Sequence, residues 1–112
     1  MKTDIEMLEA AAKAAGRLVE GLADKILVDP EHRAGGLIVR SATGGSVAWN
    51  PLTDDGDALR LAVAMALEIR PGVGMVTAAG DGVWEEVPTA DYTREQATRR
   101  AIVEAAAIIG AR

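Results

Sequence analysis

The run Trp49–Ile69, WNPLTDDGDALRLAVAMALEI, constrains the fold more than any other stretch of this chain. Pro51 cannot donate to a sheet ladder, so an extended segment reaching Trp49–Asn50 must stop there. Thr53 or Asp54 then caps a helix, and Asp54, Asp55 and Asp57 place negative charge in its positive first turn. Leu59, Ala62, Val63, Ala66 and Leu67 make one apolar face of that helix, while Leu61 and Met65 cover another. Only Asp57, Arg60 and Glu68 interrupt it. A helix apolar nearly all round must be buried on more than one side, so this one demands neighbours on two flanks.

The rest of the chain supplies candidates for those neighbours. Thr3–Glu6 fits a capping box, and Ile5, Leu8, Ala12, Ala15 and Leu22 fall at helical spacing. Gly16 suits either a helix end or an interior defect. Because Leu18, Val19 and Leu22 continue the stripe, the spacing predicts one helix, or two abutting ones, to about Ala23. Lys25–Val28 reads as a short strand and Pro30–Gly36 as a loop. Gly36–Ser41 and Ser46–Asn50 flank Ala42-Thr-Gly-Gly45 in a hairpin pattern, with Leu37 and Val39 on one face and Val47 and Trp49 likewise. Arg70–Gly74 reads as a connection. Met75–Ala79 and Val83–Val87 flank Gly80-Asp-Gly82 in a second hairpin, and Pro88–Asp91 is a loop. Thr93–Gln96 is a second capping box. The last helix has Thr98, Ala101, Ile102, Ala105, Ile108 and Ile109 as its inner face and Gly110 as its stop.

The predicted order is therefore α-β-β-α-β-β-α: an α+β domain, one unit over residues 1–112, with an antiparallel sheet flanked by helices. Each half has a glycine-turn hairpin, a Trp on its second strand (Trp49, Trp84), a loop and an alanine-rich helix. This is a supersecondary echo in pattern, without residue identity.

Composition narrows the function classes. The apolar 49% is Ala, Val, Leu and Ile, with no Phe, one Tyr and two Trp. Small aliphatic side chains favour close helix packing, and the two indoles become the large anchors. Seventeen acidic against twelve basic residues leave a net charge of −5, a field that does not attract nucleic acid. The absence of Cys excludes disulfides, thiolate metal sites and a Cys nucleophile. Acids interrupt the N-terminal stretch where a signal peptide would be apolar, and no run approaches the ~20 apolar residues that span a bilayer. These features predict a soluble, unexported cytoplasmic protein without a membrane association.

Chemistry-bearing residues are few. Asp54, Asp55 and Asp57 offer carboxylate oxygens of the kind hard cations prefer, with Arg60 beside them, which defines a metal-dependent enzyme or regulator as one alternative. On one helix turn their side chains fan apart and no second acidic motif completes a shell, so the helix-start role is favoured. His32, between Glu31 and Arg33, has no identifiable partner for acid–base work. Ser41 and Ser46 lack a nucleophile-elbow setting. The glycines precede no Gly-Lys-Ser/Thr and are turn glycines. Arg94, Arg99 and Arg100 would serve a weak nucleic-acid-binding alternative, but Glu95 and Glu104 neutralise the same helix. No catalytic residue, metal or cofactor is assigned. The sharper expectation is an interaction surface of Trp49, Leu61, Met65 and Trp84, engaging a second copy in a homodimer or a host protein. The competing expectation is that these residues lie inside a layered sandwich of this chain.

Trp49-Asn-Pro-Leu-Thr-Asp-Asp-Gly-Asp-Ala-Leu-Arg-Leu-Ala62 and Ala97-Thr-Arg-Arg-Ala-Ile-Val-Glu-Ala-Ala106 resemble segments of small uncharacterised proteins encoded by tailed phages and prophages. More distantly they are similar to NinX-like and phage α-β-α sandwich proteins, in which such a turn leads into an alanine-rich helix. The resemblance covers the middle of the chain and the last helix, and leaves Arg17–Gly36 outside it. It implies a phage accessory protein in the cytoplasm of a bacterial host and carries over no catalytic residue; with no catalytic motif in the chain, a non-enzymatic protein-binding module is the expectation.

Overall fold

The computed structural model describes residues 3–22, 36–40 and 44–112 of the chain. The expected strand Lys25–Val28, His32, Ser41 and most of the Pro30–Gly36 loop lie outside the described residues. Among the described residues three helices and six strands follow in the order α1 (Asp4–Ala14), β1 (Val19–Leu22), β2 (Leu37–Arg40), β3 (Ser46–Trp49), α2 (Asp55–Ala64), β4 (Glu68–Pro71), β5 (Met75–Gly80), β6 (Val83–Pro88) and α3 (Arg94–Gly110). The α+β class and the antiparallel hairpins stand as expected. The difference is a third strand ahead of each hairpin, so that two three-stranded antiparallel sheets form, β1-β2-β3 and β4-β5-β6.

Both extra strands arise where a helix stops earlier than its apolar spacing suggests. After α1 the chain turns through Gly16 at φ +71°, and the Arg17 amide donates back to the Ala12 carbonyl at 2.8 Å. This is the left-handed C-terminal cap that glycine permits without steric cost. The residues expected to prolong the helix, Val19 and Leu22 among them, become β1. After α2 the same device recurs on a non-glycine: Ala66 takes φ +53°, and the Leu67 amide donates to the Ala62 carbonyl at 3.0 Å. The chain then enters β4, and Pro71 is tolerated because it is the last residue of an edge strand.

The helix starts follow local chemistry. Thr3 and Thr93 each form a complete capping box, with Glu6 and Gln96 respectively. The β5–β6 connection is the two-residue turn Asp81-Gly82, with φ +49° and +77°. Positive φ at both positions suits the right-handed twist of the flanking strands.

The helix buried on more than one side is α3, not α2. Ile102, Val103, Ala106 and Ala107 of α3 pack with Leu8 and Ala11 of α1, with Leu37, Val39 and Trp49 of the first sheet and with Leu61 of α2. Its other side, Ala97, Ala101 and Ala105, covers Val76, Ala78, Val83 and Val87 of the second sheet. Small side chains let neighbours approach this helix from both sides. Gly110 belongs to that surface: it is the last residue of α3, with Ala111 at the cap, and a Cβ on it would overlap the Ala10 carbonyl of α1. Its role is close helix packing. Of the expected inner face of α3, Ala101, Ile102 and Ala105 are buried, whereas Ile108 is exposed.

Candidate functional site

The segment joining the first sheet to α2 is a hydrogen-bonded staple. The Asn50 side chain accepts from the Leu52 amide at 3.0 Å, and the Asn50 carbonyl accepts from the Asp54 amide at 2.9 Å. Asp54 is the N-cap and accepts from the Asp57 amide at 2.8 Å. Asp57 reaches back, its Oδ2 accepting from the Asn50 amide at 3.0 Å and its Oδ1 from Arg60 Nη2 at 2.8 Å. That bond to Asp57 holds the Arg60 guanidinium above its usual pKa. Asp55 points elsewhere and pairs with Arg99 Nη1 at 2.6 Å, while Arg99 Nε donates to the Leu52 carbonyl at 2.9 Å. The three aspartates therefore have three separate structural engagements, and among the described residues no three acidic or histidine side chains converge.

Arginines of α3 are similarly committed. Arg99 ties α3 to the staple. Arg100 sits 5.6 Å from the Tyr92 ring centroid and pairs with Asp4 of α1 and Glu104 of α3, each at 3.3 Å. Of the trio Arg94, Arg99 and Arg100, only Arg94 is exposed.

The four residues expected to form an interaction surface separate into two groups. Trp49 and Leu61 are buried in the core at the junction of the first sheet, α2 and α3. As part of this chain's own packing they offer no surface to a partner. Met65 is half-buried against the same core. Trp84 is exposed on the outer face of the second sheet, where its Nε1 donates to Glu86 Oε1 at 2.8 Å.

The apolar surface that α2 leaves open lies elsewhere on the helix. Ala58, Leu61 and Ala62 face inward, so Leu59 and Val63, one turn apart, project outward and are 66% and 72% exposed. Leu59 and Val63, expected on one apolar face with Ala62, part from it because Ala58 and Ala62, not the larger residues, mark where α2 presses against its neighbour. The inward spacing Ala58, Leu61, Ala62, Met65 was the signal that could have identified this.

Beside Leu59 runs an open groove of about 430 Å³, floored by Ala58, Ala62, Ile69 and Ile102 between α2, β4 and α3. A second open groove, about 720 Å³, runs between β6 and the C-terminal half of α3, with Val87, Tyr92, Ala107 and Ile108 among its apolar walls. Glu85 and Glu104 line it too. Burial raises the Glu104 carboxyl pKa, Arg100 opposes the rise, and Glu85 and Asp4 add to it. No helix among the described residues is long and apolar enough to cross a membrane. No protein-family model, no curated protein and no solved structure matches this chain.

Proposed function

We propose that this chain is a non-enzymatic protein-binding module, an accessory protein of phage or prophage origin acting in the bacterial cytoplasm through contact with a host or defence protein or a second copy of itself. The observation that carries the reading is the pair Leu59 and Val63, exposed one turn apart on α2, with Leu59 also lining an apolar groove. Covering an exposed Leu and Val removes apolar surface from water, at most about 1.5–3 kcal/mol for each before the cost of association, which suits the centre of an interface. The phage origin draws its support from the WNPLTDDGDALRLA and ATRRAIVEAA segments. The engagement of Asp54, Asp55 and Asp57 in capping, turn and ion-pair roles favours a binding module over a cation-dependent enzyme.

The test pairs capture from bacterial lysate with light scattering on the purified chain, comparing the natural protein with a Leu59→Glu/Val63→Glu variant. The expected result is a stoichiometric partner, or a dimer, that the variant loses while its circular dichroism and Tm stay unchanged. A strict monomer that captures no stoichiometric protein overturns the reading.

A further inference from the structure

We propose that the free edge of β6 docks a short, extended, basic segment of a partner polypeptide, which adds to the second sheet as a fourth strand. The proposal deepens the protein-binding reading and rests on it, by naming a second contact surface and the chemistry of what it takes.

The backbone geometry comes first. Gly80 pairs with Val83 across the two-residue Asp81-Gly82 turn, and at the other end of the hairpin the Thr89 amide donates to the Gly74 carbonyl at 3.1 Å. In an antiparallel pair the bonded residues alternate along the strand. Val83, Glu85 and Val87 therefore turn their backbone groups toward β5, and Trp84, Glu86 and Pro88 turn theirs outward. Among the described residues no strand lies beyond β6 and none donates to or accepts from those outward groups. Trp84 and Glu86 offer an N–H and a C=O each. Pro88 offers only a carbonyl, which limits the added strand to a short one.

The groove beside this edge supplies the side-chain half of a strand-addition site. A strand paired with β6 has alternate side chains directed inward, over the 720 Å³ groove walled by Val87, Tyr92 and Ile108. Its other side chains lie outward beside Trp84 and Glu86.

Charge selects the occupant. Glu85, Glu86, Asp91 and Glu104 line the groove against Arg100 and Arg112. Both arginines already face acids of this chain, Arg100 with Asp4 and Glu104, and Arg112 with Asp81 at 3.4 Å. The surplus is negative, as is the whole chain at −5, and it complements a basic segment. The same surplus disfavours a second copy of β6, because two-fold antiparallel pairing would set the Glu85-Glu86 pairs of two chains against each other.

The experiment uses the full chain and three capped peptides: one alternating lysine and valine, one alternating glutamate and valine, and the lysine–valine peptide N-methylated on the amides of one edge. Calorimetry and the emission of exposed Trp84 report binding. Saturable binding of the lysine–valine peptide is expected, weakened about tenfold or more by N-methylation through loss of two backbone hydrogen bonds, and absent for the glutamate–valine peptide. Glu86→Pro, which removes an outward N–H and leaves the β5 ladder intact, should weaken binding similarly while the fold is retained. Absence of binding, or binding indifferent to N-methylation or to peptide charge, overturns the proposal. The Leu59→Glu/Val63→Glu variant separates the two surfaces: it should bind the peptide normally. If no peptide binds while the natural chain still captures a partner that this variant loses, the edge proposal falls and the protein-binding reading stands.

Discussion

The two sheets are built on one plan and used differently, and their tryptophans show why. Each sheet is a three-stranded antiparallel meander that leads into a helix, and each carries its Trp on the third strand. Trp49 pairs with Leu37 and is 3% exposed; Trp84 pairs with Ala79 and is 56% exposed. Successive side chains on a strand point to opposite faces, so a one-residue difference in position moves a side chain from core to solvent. In the first sheet Leu37, Val39 and Trp49 form the inner face. In the second the inner face is Val76, Ala78, Val83 and Val87, and Trp84 falls between two of them. A repeated pattern of elements therefore places large side chains without assigning them a common role.

The sharpest way to break this comparison is to truncate each indole. Trp49→Ala should cost about 3–5 kcal/mol, the usual loss for a large buried aromatic, whereas Trp84→Ala should change stability by only about 0.5 kcal/mol. Urea denaturation of the two variants measures both, and equal losses would contradict the opposite facing of the two strands.

A smaller effect separates the two helix ends that open the sheets. Gly16 adopts its left-handed conformation freely, while Ala66 does so at a steric cost. Ala66→Gly should stabilise the protein by about 0.5–1 kcal/mol, the relief of that cost exceeding the added freedom of glycine in the unfolded chain. A shift of the urea midpoint to higher concentration with unchanged slope is the expected readout. The reverse change at Gly16, to Ala, should destabilise.

The smallest effect concerns the second sheet's groove. Burial lifts the Glu104 carboxyl above its ordinary value, Arg100 offsets the rise only in part, and Glu85 of β6 and Asp4 of α1 add to it. A carboxyl whose pKa is higher folded than unfolded favours the folded state fully at pH values below the unfolded pKa. That contribution is lost as pH rises through the folded value. Glu104→Gln should therefore be slightly more stable than the natural chain at pH 7, the gap narrowing as pH falls and closing below the unfolded carboxyl's pKa of about 4.3, where the group is protonated in both states. Thermal melts across that range check the sign, and a gap that widens on acidification would contradict it.

What was legible in the residues was legible because its physics is local. The capping boxes at Thr3–Glu6 and Thr93–Gln96 span four residues, as does the Asp54 cap on Asp57. The Asp81-Gly82 turn selects its own hairpin register. The α+β class and both hairpins follow from such signals. The strands β1 and β4 were not legible, because Val19, Leu67 and Ile69 carry on a helical apolar spacing and the stop depends on one residue turning to positive φ. At Ala66 nothing in the residue type announces that turn.

The candidate surface divides along the same line. The apolar excess of α2 was visible in its composition, and the aspartates' role at a helix start was visible in their position. Which side of α2 stayed open was not, since two faces of an apolar helix compete and the choice falls to whichever admits the closer neighbour. Here alanines at 58 and 62 let α2 approach α3, which leaves Leu59 and Val63 outside.

The Trp49–Ile69 stretch that ordered the chain thus keeps its proline stop, its aspartate cap and its need for neighbours, all properties of the residues themselves. That α3 became the doubly covered centre, that one Trp lies inside and the other outside, and that β6 is the last strand of the second sheet among the described residues were decided by the tertiary structure. These depend on strand parity and on the closest approach of helix surfaces, quantities set only when distant segments meet.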